Sequence, residues 1–381
     1  MTEKLYYENA YIKDFQALVL SCEKCGDTYD VVLDKTAFFP EEGGQYSDKG
    51  KIGDASVVDV NEINGVIHHY TLAPLETGIS VIGCIDFDER YEKMQCHSAE
   101  HILSGLIHKH FGLNNVGFHL GKDDVTMDIS APLAEKELEF IEELANEAVY
   151  KNVEITAEFP NPADLDSLEY RSKLDLTENV RIVRIGEYDA CACCAPHVKS
   201  TGEIGAIKIL ESVKLRGGLR IRITAGRRAM KLFRECLGSG GSVSALLSVP
   251  KSEIDSAVKK LLDDYAKLKS EFSEYKIGVM RREAEAVEFT DGNLVIAFED
   301  ASIEQLIAFS NIALNKVSGI LVLLSGRDGD YKYVISSACV DLRSEISEIN
   351  KSLLGRGGGR ANMVQGSFAS SLIKIKAYFN P

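Results

Sequence analysis

The chain has 381 residues, 45% of them hydrophobic and 27% charged, which is typical of ordinary globular proteins with room for two or three domains. Its net charge of −15 argues against indiscriminate binding to nucleic acid, although a local basic surface is compatible with it. No apolar run approaches the roughly 20 residues that cross a bilayer. The N-terminus, MTEKLYYENAYIKDF, lacks the basic region and apolar core of a secretory signal, so we expect no membrane association.

Residues 1–90 are predicted to be rich in β-strands. Short β-branched runs are separated by Gly, Asp, Asn and Pro, as in strands joined by tight turns. The runs are ALVLSCE, YDVVLD, DASVVDVNEI, GVIHHYTL and GISVIGCID. So many strands in so short a span favour a small β-barrel or a strongly curved sheet.

Residues 91–238 combine helices and strands. The segment MQCHSAEHILSGLIHKHFG has a helical period and a natural stop at Gly112, and a second helix is predicted from about Ala134 to Asn152. RIVRIG, GAIKIL and LRIRITAG then return to strand character. This mixed order predicts an α+β domain.

The next segment is predicted to be a linker, GSGGS at 238–242, followed by a helical spacer over 251–288. Apolar residues of the spacer alternate at steps of four and three, which is the pattern of a heptad seam. They are Ile254, Val258, Leu261, Tyr265, Leu268, Phe272, Tyr275 and Val279. Such a seam must be buried against another helix. The pattern is equally compatible with packing inside the chain and with a homodimer.

Residues 289–381 are predicted to form a compact α/β domain of usual size. Strand and helix patterns follow one another in NLVIAF, SIEQLIAFSNIALNK, GILVLLSG, YKYVISSA and DLRSEISEINKSLL. A glycine-rich turn is predicted after the last of these.

The cysteines and histidines predict a metal site. Nine cysteines is an odd number, and adjacent thiols suit metal or redox chemistry in a reducing cytoplasm better than a disulfide framework. His97 and His101 are four residues apart on one face of a predicted helix, and Cys193 and His197 form a second pair. Two such pairs can close a tetrahedral site, for which thiolate and imidazole together select zinc (Zn²⁺). Cys191 is an alternative to Cys193 as the thiolate.

Two further interpretations of the zinc residues remain open. The segment from His97 to His101 fits H-x-x-E-H, in which Glu100 would be the general base of a zinc metallopeptidase. The Cys/His pair already supplies the remaining ligands, which disfavours that reading. Four protein ligands would also suit a structural zinc in a non-catalytic RNA-binding protein, because a catalytic zinc normally keeps one position open.

Several motifs resemble the editing domain of alanyl-tRNA synthetase and its free-standing relatives. In chain order they are Phe38-Phe-Pro-Glu-Glu-Gly43-Gly44-Gln45, His97-Ser-Ala-Glu-His101-Ile-Leu-Ser, and Cys193-Cys-Ala-Pro-His197-Val with Thr201-Gly-Glu-Ile-Gly205. Gly357-Gly-Gly-Arg360-Ala-Asn-Met-Val-Gln-Gly366 resembles the glycine-rich motif of the DHH-associated C-terminal domain. The resemblance covers nearly the whole chain and implies the long form of the free-standing editing proteins. No Asp-His-His motif is present, which argues against a DHH-type phosphodiesterase.

The resemblance implies hydrolysis of the ester that joins a wrong amino acid, serine or glycine, to alanine tRNA. It implies that the zinc site holds the 3′ end of the tRNA and the attacking water. The residues expected at the amino-acid pocket are Thr36, Gly43, Gly44 and Gln45. The residues expected to bind tRNA are Arg216, Arg220, Gly357, Gly358, Gly359 and Arg360. The chain departs from the family at its usual Cys-Gly-Gly-Thr-His, which here is Cys-Cys-Ala-Pro-His.

Overall fold

The computed structural model describes residues 1–122, 125–161, 165, 167–172 and 180–380. The chain divides into two compact units, Met1–Gly241 and Ser242–Pro381. Both mix helices with strands, which confirms the predicted α+β class. Among the described residues, the helices are all too short or too polar to cross a bilayer.

The strands of the first unit form one barrel and three smaller sheets. They are β1 (Glu3–Lys4), β2 (Asp14–Cys25), β3 (Thr28–Leu33), β4 (Lys35–Thr36), β5 (Gly50–Ile52), β6 (Ala55–Ile63), β7 (Val66–Thr71), β8 (Ser80–Ile85), β9 (Asn115–Leu120), β10 (Val125–Ile129), β11 (Ile155–Glu158), β12 (Ile182–Ile185), β13 (Asp189–Ala192), β14 (Ile207–Leu215) and β15 (Gly218–Ala225). The helices are α1 (Leu5–Glu8), α2 (Phe87–Phe111) and α3 (Glu135–Lys151), and α4 (Gly226–Leu247) crosses into the second unit. A 3₁₀ turn covers Thr201–Ile204.

The barrel closes in the order β2-β3-β7-β6-β5-β8. Its strands alternate between buried and exposed side chains, as β2 does at Phe15, Ala17 and Val19, because successive side chains of a strand point to opposite faces. The buried sets fill one apolar core within the barrel. The segment after β4 leaves this barrel and runs toward helix α2.

Helix α2 is buried on nearly every side from Met94 to Ile107. It begins at Asp86, whose side chain accepts a hydrogen bond from the amide of Glu89, and ends at Gly112 in the left-handed region (φ 68°). It packs against α3, β13 and β15. A helix surrounded by protein in this way places its polar residues in the interior.

Two antiparallel sheets flank α2 and α3. One has the order β14-β15-β10-β9 and the other β11-β12-β13. Both sheets contribute to the apolar core that surrounds α2. Along β13 the side chains alternate, so that Asp189 and Cys191 share its buried face.

A buried ionic cluster fixes the start of α2 to the segment that follows β4. Arg90 donates through Nη2 to the carbonyl of Ala37 (2.7 Å) and through Nε to Asp48 (2.8 Å). Lys93 donates to the carbonyl of Ser47 (2.7 Å). Burial alone would raise the pKa of Asp48, but the Arg90 and Lys93 charges outweigh it and lower that pKa. The cluster therefore holds residues 37–48 against α2.

The second unit contains a five-stranded sheet in the order β16-β17-β18-β20-β19, in which the β16–β17 pair is parallel. Its strands are β16 (Leu294–Phe298), β17 (Ile320–Arg327), β18 (Asp330–Ser337), β19 (Gly355–Arg360) and β20 (Met363–Phe368). Its helices are α5 (Ile254–Ala286), α6 (Ile303–Ala313), α7 (Leu342–Ser352) and α8 (Leu372–Phe379). Single 3₁₀ turns cover Lys251–Glu253 and Leu314–Lys316.

The predicted linker at 238–242 is wrong, because this segment lies inside α4. The residues before it carry apolar side chains at helical spacing, Met230, Phe233 and Leu237. Each glycine in a helix costs about 1 kcal/mol relative to alanine, which favourable flanking turns can outweigh. The GSGGS composition alone was therefore a poor guide to local structure.

The predicted glycine-rich turn is also wrong, because Gly355–Arg360 forms β19 at the edge of the sheet, paired with β20. Gly357 has a φ of 154°, and a Cβ there would collide with the carbonyl of Gln365 and the hydroxyl of Tyr333. Gly366 meets the same tyrosine from β20. The glycines thus permit a close approach of two strands over an aromatic ring.

We expect Asp48→Ala to lower the free energy of unfolding of the first unit by about 3–5 kcal/mol, because it leaves Arg90 buried without its anion. Urea denaturation followed by circular dichroism measures this. Glu187→Ala, which breaks the exposed Lys109–Glu187 pair (3.5 Å), is the control and should cost less than about 1 kcal/mol. Equal losses in the two variants would contradict the role of the cluster.

The buried pair of Arg90 and Asp48 also makes the stability of the first unit depend on pH. Because the folded-state pKa of Asp48 is lowered, its contribution is present at neutral pH and is lost as the pH falls through that pKa. The difference between the parent and Asp48→Ala should therefore shrink on acidification.

Candidate metal centre

The four predicted ligands come together at one point in the first unit. His97 and His101 project from α2, and Cys193 and His197 follow β13. One ligand atom of each lies within 4.8 Å of the others. The Sγ of Cys193 is 3.6 Å from Nε2 of His97 and 3.4 Å from Nε2 of His197. In a tetrahedral zinc site with ordinary bond lengths, a sulfur and a nitrogen ligand are about 3.5 Å apart. The donor set and its spacing therefore fit a zinc ion.

Each imidazole is oriented through its other nitrogen, Nδ1. The three pairs are His97 Nδ1 with Gln45 Oε1 (3.0 Å), His101 Nδ1 with Asp189 Oδ2 (2.9 Å) and His197 Nδ1 with Ser98 Oγ (2.9 Å). Metal-binding histidines commonly have such a partner, which fixes the ring and leaves Nε2 for the ion.

The electrostatics favour a thiolate at Cys193. Burial alone would raise its pKa, but the interaction with His97 and the contact with His101 lower it well below its ordinary value. Burial lowers the pKa of His197 to about 3, so this ring is neutral at pH 7. Asp189 and Cys193 raise the pKa of His101 against the effect of burial. Metal binding at that ring would release a proton.

Cys191 is close to the same centre. With His101 and Asp189 it forms a second group whose ligand atoms lie within 4.8 Å of one another. Burial raises the pKa of Cys191, in contrast to that of Cys193. This difference favours Cys193 as the thiolate ligand.

The centre lies in the wall of a cavity of about 1080 Å³. His97, His101 and Cys193 line it on one side, and the cations Lys4, Arg171 and Arg181 line it as well. Further lining residues are Tyr7, Glu42, Gly43, Phe118, Phe159 and Cys194. Six glutamates belong to the same described lining, so the cavity combines a cluster of metal ligands with charges of both signs.

The residues expected at the amino-acid pocket lie at different depths. Of the four, only Gly43 is among the described residues that line the cavity. Thr36 is fully buried, with its Oγ1 2.8 Å from Nε2 of His69. Gln45 is also fully buried and holds His97 through Oε1, while its Nε2 has no hydrogen-bond partner among the described residues.

Glu100 also lines the cavity, but one of its carboxylate oxygens accepts hydrogen bonds from Ser104 and Asn115. These partners hold the carboxylate in a buried network beside the centre. The general base of a zinc peptidase must instead face the metal-bound water, and this network does not favour that role.

The residues expected to bind tRNA lie on both units. Arg216 is exposed at the turn between β14 and β15, and Arg220 forms a two-bonded ion pair with Asp128 (2.8 Å each). Gly357, Gly358 and Gly359 with Arg360 are exposed along the edge strand β19.

Sequence reasoning missed the partners of the imidazoles, above all Asp189. The alternation Asp189-Ala-Cys191-Ala-Cys193 carried a signal, because a period of two places these three residues on one face of a strand. Ser98 and Arg171 carried no comparable signal, since neither belongs to a recognisable spacing.

The comparisons with known proteins agree with this arrangement. Residues 180–223 match the family model "Threonyl and Alanyl tRNA synthetase second additional domain", and residues 2–89 match "tRNA synthetases class II (A)". The alanyl-tRNA editing protein AlaX-L of Pyrococcus horikoshii is 30% identical over 96% of this chain and 94% of its own length. The alanine–tRNA ligase of Archaeoglobus fulgidus is 30% identical over 96% of this chain, which spans 42% of that ligase.

A solved structure, the C-Ala domain from Aquifex aeolicus alanyl-tRNA synthetase, is 22% identical with a TM-score of 0.21, covering 23% of this chain and 86% of that domain. By sequence, the chain is similar both to the alanine–tRNA ligases and to a free-standing editing protein. With AlaX-L matched over almost its entire length, the chain belongs to the family of alanyl-tRNA editing proteins.

We expect the purified protein to carry about one zinc ion per chain, and His197→Ala or Cys193→Ser to lose most of it, because each removes one of four ligands. Cys191→Ser should keep the metal. Metal analysis by mass spectrometry measures this, with His110→Ala, an exposed histidine near the end of the same helix, as the control. Loss of metal from Cys191→Ser but not from Cys193→Ser would reverse the ligand assignment.

Proposed function

We propose that this chain is a trans-editing hydrolase that removes a wrong amino acid, serine or glycine, from alanine tRNA at a zinc ion held by His97, His101, Cys193 and His197. The observation that carries the proposal is the convergence of four ligand atoms at one point, where three of the four residues line a cavity of about 1080 Å³. Its similarity to AlaX-L, an alanyl-tRNA editing protein, supports the same reaction.

The chemistry that this site must supply is modest. The ester at the 3′ end of a charged tRNA is already reactive, so holding it next to water accounts for much of the acceleration. A zinc ion bound there would supply a Lewis acid for the ester and its water. The chain itself orients the three imidazoles through their Nδ1 atoms and encloses the ester in the cavity.

Arg181 supports an RNA 3′ end as the substrate. The described lining of the cavity contains three cations and six glutamates, and Lys4 is paired with Glu62 (2.7 Å) and Arg171 with Asp189 (2.7 Å). Arg181 is therefore the cation best placed to pair with a phosphate group of an RNA end. Arg181 also donates to the carbonyls of Cys193 (3.0 Å) and Ala195 (2.9 Å), and so it fixes the ligand loop from the same side.

Further contacts with tRNA are proposed at Arg216 and Arg220 and at residues 357–360. The proposed division of labour assigns 1–90 and 91–238 to catalysis, 251–288 to a spacer, and 289–381 to tRNA binding. The spacer helix α5 has apolar seam residues that are more than half exposed, among them Leu261, Tyr265 and Leu268. This exposure supports a homodimer through α5. A role in translation accuracy would place the protein in the cytoplasm.

We expect the parent to release serine from serine-charged alanine tRNA and largely to spare alanine-charged tRNA. The measurement is the release of labelled amino acid from serine-, glycine- and alanine-charged tRNA. His197→Ala should lose nearly all activity, whereas His110→Ala should retain it. Equal rates for serine and alanine in the parent would exclude an editing role. Cleavage of an unrelated peptide instead would favour the zinc peptidase.

Selectivity for serine is proposed to involve Thr36. The His69 Nδ1 lies 3.0 Å from the carbonyl of Val31 and donates to it, so its Nε2 accepts the hydroxyl hydrogen of Thr36. The Thr36 oxygen also accepts the amide of Phe38 (3.1 Å). One lone pair remains to accept a hydrogen bond from the hydroxyl of serine. Thr36 lies behind the residues that line the cavity. Serine can therefore reach it only if those residues move aside.

We expect Thr36→Val to lower the ratio of kcat/KM for serine-charged over glycine-charged tRNA by about tenfold, since a lost hydrogen bond to a buried group costs about 1–3 kcal/mol. Thr36→Ser keeps the hydroxyl and should retain the ratio. Both substrates are measured on one preparation, so any loss of folded protein cancels. An unchanged ratio in Thr36→Val would show that the hydroxyl is recognised elsewhere.

A further inference from the structure

Asp189 lies between a metal ligand and a cation of the cavity. Its Oδ2 is 2.9 Å from Nδ1 of His101, and it accepts two hydrogen bonds from Arg171, Nε to Oδ1 at 2.7 Å and Nη2 to Oδ2 at 2.9 Å. The side chain of Asp189 is 1% exposed. All three residues are held in one chain of contacts that runs from the ligand to the cavity wall.

The backbone brings Asp189 to this place through a glycine. Gly105 lies one helical turn after His101 on α2, where a Cβ would collide with the carbonyl of Tyr188 and lie 2.9 Å from Cβ of Asp189. The absence of that Cβ lets β13 approach α2 closely enough for the carboxylate to reach the imidazole.

Arg171 is fixed beside the same strand by its own backbone. Its amide donates to the carbonyl of Ala190 (2.7 Å), and its carbonyl accepts the amide of Ala192 (2.9 Å). Its guanidinium thus bonds both oxygens of Asp189 in parallel and still lines the cavity. Such a two-bonded pair holds the carboxylate plane in a single orientation.

The three imidazole partners differ in charge. Gln45 and Ser98 are neutral, and Asp189 is the anionic partner among the three that the structure describes. A carboxylate orients a ligating histidine and makes its ring a stronger donor to the metal, and the loss of such a partner lowers metal affinity about 10–100-fold. His101 is therefore the imidazole ligand that is strengthened by an anionic partner.

We propose that Asp189 and Arg171 are positioning residues that set the zinc affinity of the centre through His101. The inference rests on the proposed zinc site and assigns a role to two residues outside the ligand set. Arg171 restrains Asp189, and Asp189 restrains and strengthens the His101 ligand. The loss of Asp189 should therefore lower the metal affinity most, and the loss of Arg171 should lower it less.

The test compares Asp189→Ala, Asp189→Asn and Arg171→Met with the parent. Zinc affinity is measured by competition with a chromogenic chelator, and Co²⁺ added to the metal-free protein supplies a visible spectrum that reports the ligand set. We expect Asp189→Ala to bind zinc about 10–100-fold more weakly. Asp189→Asn and Arg171→Met should fall between it and the parent, and the Co²⁺ band should change in shape for Asp189→Ala.

The matched control is Arg343→Met, which removes the arginine of another two-bonded pair, Arg343 with Asp341, on the surface of the second unit. It should bind zinc as the parent does. Urea midpoints of the metal-free proteins separate lost folding from lost affinity, because a purely structural role would lower occupancy without changing the shape of the Co²⁺ band.

The outcomes are distinguishable. A parent that binds neither Zn²⁺ nor Co²⁺ would refute the proposed zinc site itself. A parent that binds both, with Asp189→Ala within about twofold of it, would overturn only the positioning role of Asp189. Weak binding by Asp189→Ala with parental binding by Arg171→Met would remove Arg171 from the chain of contacts.

Discussion

The burial of two imidazoles on a helix that is enclosed on nearly every side is the constraint on which the first unit depends. A buried polar ring without a hydrogen-bond partner costs free energy, so each one needs a partner from another part of the chain. Gln45 reaches His97 from the segment after the barrel, and Asp189 reaches His101 from β13. The barrel and the small sheet are thus tied to α2 by the same contacts that orient the ligands.

Those contacts depend on the position of the two segments that carry Gln45 and Asp189. The segment that carries Gln45 is held at its ends by Arg90, which bonds Ala37 and Asp48. The strand that carries Asp189 approaches α2 because Gly105 has no side chain. Charge burial and a glycine contact, neither of which touches a metal, therefore place the imidazole partners to within hydrogen-bond distance.

The regular parts of this arrangement could be predicted from the sequence, and the contacts between them could not. The helical period and the stop at Gly112 located α2, and the rarity of Cys and His made the ligands recognisable by spacing. GSGGS and the glycines of β19 were misread because composition does not reveal what flanks or faces a glycine. Asp189 and Arg171 were missed because such residues are common, and only the fold brings them together.

The departure from the family's Cys-Gly-Gly-Thr-His has a visible structural consequence. Cys194 packs with Tyr6, Phe39 and Ala195, and its Sγ lies 3.3 Å from where a Cβ of Gly43 would be. A larger residue at position 194 is therefore accommodated by the absence of a side chain at position 43. The ligand loop and the 37–48 segment close on each other here, at the cavity wall beside the metal ligands.

Most of the cations that could meet RNA are paired with carboxylates in this acidic chain. Several arginines between residues 214 and 234 form ion pairs with carboxylates, as Arg220 does with Asp128, Arg227 with Asp88 and Arg228 with Glu92. In the cavity, Arg181 lies beside the ligand loop and donates to two of its carbonyls. Glutamates line the same cavity, and there Lys4 is paired with Glu62 (2.7 Å) and Arg171 with Asp189 (2.7 Å). Under the proposed function, Arg181 is therefore the cation best placed to meet a phosphate group of the RNA 3′ end, because the other two are already engaged by carboxylates.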